Sequence, residues 1–194
     1  MSYQSLLDYI NAVVPLTKSE EVELTNLVTK RKYLKGQFIL QQGDIAQQQC
    51  FLVSGCTKMF HSDDSGQEHI ILFAVENWWT SDIGSFISQT PADFNVQCIE
   101  DTEVIQISAQ NIETLFIAIP KLERFFRKII EKAFVALQKR MVRNFSLTAK
   151  ERYIIFRNTY PELEQRIPQY MIASYLGITK EFFSKMKRQV LLDN

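Results

Sequence analysis

The sequence predicts an α+β protein, with an N-terminal antiparallel β-roll flanked by helices, then one long helix, then a C-terminal helix-turn-helix. Three observations predict it. Across residues 36–108, short apolar runs alternate with turns rich in Gly and Asp, the pattern of strands of about five residues in a roll or barrel. Residues 121–145 contain neither Gly nor Pro, so one helix can run through them. Residues 169–188 have the spacing of two short helices joined by a tight turn.

The first 35 residues are expected to form short helices. Thr17 and Glu20 stand three positions apart ahead of an apolar stripe, which is the pattern of a capping box. The predicted strands of the roll are the apolar runs 38–40, 50–53, 57–60, 70–75 and 104–107.

The long helix can begin at Pro120, whose missing N–H would be unpaired there anyway. One apolar stripe follows it, widened on one side; its members are Leu122, Phe126, Ile129, Ala133, Leu137 and Met141, with Phe125, Ile130 and Phe134 beside them. This apolar face is too wide to be covered by one neighbouring element. The helix could pack on the roll with one edge and on a second copy with the other, or it could be buried within one monomer, and the pattern supports both.

The charge is divided between the two parts of the chain. Residues 1–119 contain 6 Lys and Arg against 15 Asp and Glu, a net charge of −9. Residues 120–194 contain 16 against 7, a net charge of +9. A nucleic-acid binder with a separate sensing domain has this distribution, although a solvated basic helix face would also explain it.

Several classes of protein are disfavoured. No apolar run approaches the roughly 20 residues of a membrane span, and the N-terminus lacks the pattern of a signal peptide, so a cytoplasmic location without membrane contact is expected. Cys50, Cys56 and Cys98 include no C-x-x-C pair, which favours buried thiols over a disulfide framework, zinc or iron–sulfur site. His61 and His69 are too few for a metal-dependent enzyme on a cupin-like β-roll, so no enzyme activity, cofactor or metal is expected.

The C-terminal segment carries the strongest functional signal. A small Ala173 allows two helices to cross closely, Gly177 suits a turn with positive φ, and Phe183 is expected to plug the space between the helices. Pro168 is expected at the first position of the first helix, and Thr179 is expected to cap the second.

The second helix buries residues at a spacing of three and four and presents a polar face that suits base edges and phosphates in a DNA groove. That face comprises Lys180, Glu181, Ser184, Lys185 and Arg188. With Gln169 and Thr179, these are the predicted DNA-binding residues. Charge near the C-terminus of this helix also suits the helix dipole, so part of it has a structural explanation.

The order of roll, long helix and the segment 166–185 resembles the cyclic-AMP receptor/fumarate-nitrate regulator (CRP/FNR) family, particularly members from Bacteroidetes-type bacteria. The resemblance implies a sequence-specific transcription regulator that reads the major groove with Lys180, Glu181 and Lys185. It also implies a homodimer on a pseudo-palindromic operator, with RNA polymerase as a further partner. The expected domains are a cyclic-nucleotide-binding-like sensor at 1–119, a dimerisation helix at 120–145 and a helix-turn-helix domain at 146–194.

The resemblance also locates an effector site, which departs from the family pattern. Ser81-Asp82 replaces the family's Gly-Glu pair, Phe94 stands where an Arg is expected, and no Lys or Arg occurs in residues 59–120. Because a buried phosphate needs a positive charge or converging N–H groups, cyclic AMP is expected to bind weakly or not at all. The candidate residues for another, unidentified effector are Trp79, Ser81, Asp82, Phe94 and Asn95, with core packing as the alternative. The competing function is a small-molecule-binding module whose basic half docks a protein partner.

Overall fold

The computed structural model describes residues 2–192. Its N-terminal part consists of helices α1 and α2, eight strands and two further helices. In chain order these are α1 Gln4–Asn11, α2 Lys18–Leu27, β1 Thr29–Tyr33, β2 Phe38–Leu40, β3 Gln48–Ser54, β4 Thr57–Ser62, β5 Glu68–Ala74, β6 Trp79–Thr80, α3 Ile83–Ser88, β7 Asn95–Cys98, β8 Thr102–Ser108 and α4 Ala109–Ala118. The C-terminal part is helical: α5 Lys121–Ser146, α6 Ala149–Thr159, α7 Leu163–Arg166, α8 Gln169–Leu176 and α9 Lys180–Leu192. The predicted capping box at Thr17 is present, with Glu20 N–H donating to the Thr17 hydroxyl.

The strands form the predicted antiparallel roll from two four-stranded sheets. One sheet has the order β1-β8-β3-β6 and the other the order β2-β7-β4-β5. The turn between β3 and β4 needs glycine, because Gly55 has φ +99° and a Cβ there would lie 2.6 Å from the Thr102 hydroxyl oxygen. Strand β5 lies at an edge of its sheet, which becomes important for the C-terminal helices.

Helix α5 lies half on the roll and half in solvent. Leu122 and Phe125 are fully buried in a cluster with Phe51 of β3 and Ile105 of β8. Beyond residue 129, large apolar side chains of this helix are exposed by 45 to 86%: Ile130, Phe134, Val135, Leu137, Met141, Val142 and Phe145. The alternative of a long helix buried within one monomer is therefore wrong for its second half.

Helices α6 to α9 pack against the roll through an aromatic cluster. Phe73 of β5 contacts Phe156 and Tyr160, with ring centroids 6.2 and 6.1 Å apart. The buried Tyr160 hydroxyl donates to the Phe73 carbonyl oxygen at 3.2 Å. The two parts of the chain consequently share one hydrophobic cluster.

The edge of β5 is closed by side chains from the helical part. The Ser174 hydroxyl donates to the Glu68 carbonyl at 2.7 Å and accepts from the Ile70 N–H at 3.1 Å. Arg140 donates to the Ile70 carbonyl at 3.3 Å and to the Tyr175 carbonyl at 3.1 Å. Backbone groups of an edge strand that would otherwise face solvent are thus hydrogen-bonded within the chain.

An ion-pair cluster forms a second link between the two parts. The Arg166 guanidinium donates to both carboxylate oxygens of Glu76, at 3.0 and 3.1 Å, and also to Glu100. Hydrogen bonds from Arg166 to Glu76, and then to Glu100, raise the pKa of the guanidinium. Glu76 also accepts from the Gly55 N–H at 3.0 Å, so this contact is tied to the β3–β4 turn.

All three cysteines are buried and free. Burial raises the pKa of Cys50 and that of Cys56 to about 12, so both remain protonated near neutral pH and are poor nucleophiles. The expectation of buried thiols is confirmed. No helix within residues 2–192 combines the length and apolarity that a membrane crossing requires.

Candidate nucleic-acid interface

Helices α8 and α9 are joined by the tight turn that the sequence predicts. Gly177 ends α8 in the left-handed region, with φ 67° and ψ 36°. The Gly177 N–H donates to the Ser174 carbonyl and the Ile178 N–H to the Ala173 carbonyl, each at 3.0 Å. No atom lies within 4 Å of a Cβ built on Gly177, so glycine is favoured here by backbone conformation and not by lack of space.

The cap of α9 agrees with the prediction, and the start of α8 differs from it by one residue. The Thr179 hydroxyl accepts from the Phe182 N–H at 3.2 Å and caps α9, as expected. Pro168 lies one position earlier than expected, at the N-cap of α8 in extended conformation, so that Gln169 is the first helical residue. A proline N-cap offers no side-chain acceptor, and the first turn is held by the Met171 N–H, which donates to the Pro168 carbonyl at 3.0 Å.

The inner side of the helix pair is closely packed. Ala173 is 2% exposed and Phe183 is fully buried, as their spacing predicts. The Phe183 ring meets the Tyr153 ring of α6 edge to face at 5.2 Å. Met186 and Val190 continue the buried stripe, which leaves the opposite side of α9 free of core contacts.

That opposite side carries the predicted polar residues. Lys180, Glu181, Lys185 and Arg188 are exposed, and Ser184 is half-buried. Within the described part of the chain, none of the four charged side chains makes an ion pair. Gln169 and Thr179 are exposed at the N-termini of the two helices, so all seven predicted residues lie on these helices or their turn.

Lys187, on the same helix, has a different role. Its ammonium lies 2.5 Å from Glu164, which also accepts from the Tyr153 hydroxyl at 2.6 Å. Burial alone would raise the pKa of Glu164, but the hydrogen bonds from Lys187 and Tyr153 outweigh it and lower the pKa. Lys187 therefore ties α9 to α6 and α7, whereas Lys185 and Arg188 do not take part in such a contact.

Sequence reasoning missed one feature of this surface. Phe182 is 53% exposed, although it is a large apolar residue in the first turn of α9. The sequence could have indicated this exposure, because position 182 does not fit the spacing of three and four that joins the buried positions 183, 186 and 190.

The predicted effector residues do not converge on one cavity. Asp82 is 5% exposed and caps α3: its carboxylate accepts from the Ser85 N–H at 3.0 Å and from the Asp93 N–H at 2.9 Å. Asn95 is buried and accepts from the Gln42 N–H at 3.0 Å. Both polar groups are thus engaged in holding the loops of the roll.

The aromatic candidates of this set belong to the core or its margin. Trp79 packs between Phe51 and Phe126, with ring centroids 5.5 Å away in each case. Phe94 is half-buried. Ser81 donates to the Gln48 carbonyl at 2.9 Å and is the one member of the set that lines a polar cleft of about 350 Å³ beside β1, β2 and β8.

Comparison with known proteins agrees with this architecture. Residues 30–118 match the family model of the cyclic nucleotide-binding domain. The chain is 27% identical over 180 residues to the transcriptional activator protein Anr of Pseudomonas protegens, covering 86% of this chain and 73% of that protein. It is 25% identical over 167 residues to the transcriptional activator protein FnrA of Stutzerimonas stutzeri, covering 80% and 68%.

Two solved structures are similar over nearly the whole chain. FixK2 from Bradyrhizobium japonicum has a TM-score of 0.75 at 18% identity, covering 86% of this chain and 85% of FixK2. The c-di-GMP-responsive regulator CLP of Xanthomonas campestris has a TM-score of 0.71 at 15% identity, covering 91% and 93%. Residues 30–118 thus carry a cyclic nucleotide-binding domain, and the chain is similar over most of its length to the transcriptional activators Anr and FnrA, which confirms the predicted resemblance to the CRP/FNR family.

Proposed function

We propose that this transcription regulator binds double-stranded DNA as a homodimer and reads sequence with the exposed face of α9. The observation that carries the proposal is the contrast along one helix: Lys187 is paired with Glu164, while Lys180, Lys185 and Arg188 are exposed without an ion pair among residues 2–192. Unpaired charge on a rigid helix is available to an external partner, and the +9 charge of residues 120–194 favours a polyanion.

The residue types on this face suit base edges in a major groove. Lysine donates to guanine O6 and N7, and a glutamate accepts from cytosine N4. Lys180 and Glu181 occupy the first turn of α9, and the N-terminal residues of a recognition helix are the ones that reach base edges. Gln169 and Thr179, at the N-termini of α8 and α9, are positioned for the sugar–phosphate backbone, which typically receives half or more of the hydrogen bonds in such complexes.

The second half of α5 supports the homodimer. Its exposed apolar side chains continue the stripe that is buried against the roll at Leu122 and Phe125. Two such helices packed side by side would bury this surface on both copies, as in a coiled coil. Two recognition helices could then enter major grooves about 34 Å apart on a pseudo-palindromic operator. In this arrangement residues 1–119 are the sensor, 120–145 the dimerisation helix and 146–194 the DNA-binding domain.

The effector of this sensor is not cyclic AMP. Residues 59–120 contain no Lys or Arg to hold a phosphate. The carboxylate of Asp82 accepts from two backbone N–H groups, and Trp79 is packed among aromatic rings. A cyclic nucleotide bound at the predicted effector residues would find no Lys or Arg among them and would displace these contacts.

A gel-shift series with genomic fragments at several salt concentrations tests the proposal. We expect a shift at low salt that weakens steeply as salt rises, because each phosphate neutralised by Lys or Arg releases counterions. Absence of any shift at low salt would overturn it.

A matched pair of lysine variants tests the assignment of the reading face. Lys185→Ala should broaden sequence selectivity in a binding-site selection experiment. Lys187→Ala removes the same charge two positions away but should leave selectivity unchanged, since that side chain is held by Glu164. Equal effects of the two variants on selectivity would remove Lys185 from the base-reading face.

A further inference from the structure

We infer that Phe182 is a specificity-determining residue that contacts the C5 methyl group of a thymine in the operator; this rests on the proposed function. The side chain is 53% exposed on the third residue of α9, beside Glu181 and three positions from Lys185. Its ring is accordingly available to an external partner.

The position of Phe182 in the first turn of α9 favours a DNA base as the group that it contacts. Its N–H donates to the Thr179 hydroxyl at 3.2 Å, which fixes the first turn of the helix. Residues of this turn approach base edges when a recognition helix enters the major groove. The thymine methyl is the apolar group exposed in that groove, and apolar side chains including Phe contact it.

Phe182 has no packing role within residues 2–192 that would account for a large apolar residue at this position. The buried stripe of α9 consists of Phe183, Met186 and Val190, and it leaves Phe182 outside. Lys185, three positions further along the helix, lies on the same exposed side as Phe182, and its positive charge suits the phosphates beside a groove. A protein partner that used Phe182 as an apolar anchor would be expected to meet further apolar residues there, whereas Glu181, Lys185 and Gln189 around it are polar and exposed.

Replacement of thymine by uracil in the DNA tests this contact directly. An operator is first selected with the wild-type protein, and each thymine of its half-site is then changed to uracil in turn, which removes one methyl group and leaves base pairing intact. We expect one such change to weaken wild-type binding about fourfold, the equivalent of one buried methyl group. The same change should have no effect on Phe182→Ala.

Two further variants complete the design. Phe182→Leu retains an apolar side chain and should keep the preference for thymine over uracil. Ile154→Ala removes an apolar side chain that is 43% exposed on α6, and this variant should also keep the preference for thymine over uracil. Thermal unfolding of each variant checks that the fold is retained.

The outcomes separate this inference from the proposed function. Wild-type protein that binds no DNA would overturn the proposed function and this inference with it. Selective binding with no thymine sensitive to uracil, or an equal uracil effect in wild type and Phe182→Ala, would overturn the assignment of Phe182 alone. A loss of affinity in Phe182→Ala that is the same for thymine and uracil operators would place its contact elsewhere and also overturn it.

Discussion

Replacement of Arg166 should loosen the attachment of the C-terminal helices to the roll. Arg166→Met keeps most of the apolar stem and removes the three hydrogen bonds to Glu76 and Glu100. Hydrogen bonds to charged groups contribute about 1.5–3 kcal/mol each when well buried. Here the side chains are 26, 39 and 34% exposed, for Arg166, Glu76 and Glu100, so solvent screening reduces the sum. We expect a loss of about 2 kcal/mol in the free energy of unfolding.

Thermal unfolding followed by circular dichroism measures this loss. For a protein of this size, about 2 kcal/mol lowers the unfolding midpoint by roughly 4–8 °C. Arg157→Met is the matched control, because among residues 2–192 the Arg157 guanidinium makes only a long ion pair, 3.6 Å to Glu164, and a distant contact 5.9 Å from the centre of the Tyr153 ring, and the loss of both should cost about 0.5–1 kcal/mol. Glu76→Gln retains an acceptor for the Gly55 N–H and should lose little further stability when combined with Arg166→Met. Equal midpoints for Arg166→Met and Arg157→Met would refute the reasoning.

Four further predictions follow from other parts of the molecule. Leu137→Glu places a charge on the exposed apolar face of α5 and should convert the proposed dimer to a monomer in sedimentation velocity. An unchanged sedimentation coefficient would exclude this face from the interface. Calorimetric titration with cyclic AMP should give no binding heat, and a saturable signal would contradict the proposal that cyclic AMP is not the effector. Gly177→Ala should lower the free energy of unfolding by about 1 kcal/mol because φ is 67°, and Gly177→Asn by less; equal losses in urea denaturation would contradict this. The pKa of Glu164 is lowered in the folded protein, so its stabilising contacts are complete above the usual glutamate pKa of 4.5 and are lost as pH falls below that value. The free energy of unfolding of Glu164→Gln should therefore decline less in acid than that of the wild type. A parallel decline of the two would contradict the role assigned to Glu164.

Local features of the fold could be predicted from the sequence because each depends on neighbouring residues. The capping box at Thr17 is an example: Glu20 N–H donates to the Thr17 hydroxyl, and α2 begins at Lys18, as the pattern indicates. The turn at Gly177 depends in the same way on one backbone conformation that glycine adopts easily.

Features that depend on distant residues escaped prediction. Tyr160 bonds to Phe73 across 87 positions of sequence, and Arg166 reaches Glu76 across 90. No periodicity in either segment indicates such a partner. The effector set was also selected by position in the sequence, and burial of Asp82 and Asn95 among backbone groups is a property of the folded loops.

The closed edge of β5 has a consequence for how the protein can be handled and how far it can move. A roll prepared without the C-terminal helices would present the free N–H and carbonyl groups around Ile70 beside the uncovered ring of Phe73, which is a template for strand-to-strand self-association. The C-terminal helices therefore also protect the roll from aggregation. Any rearrangement of this protein that swings them away from the roll must either be brief or provide another cover for that strand.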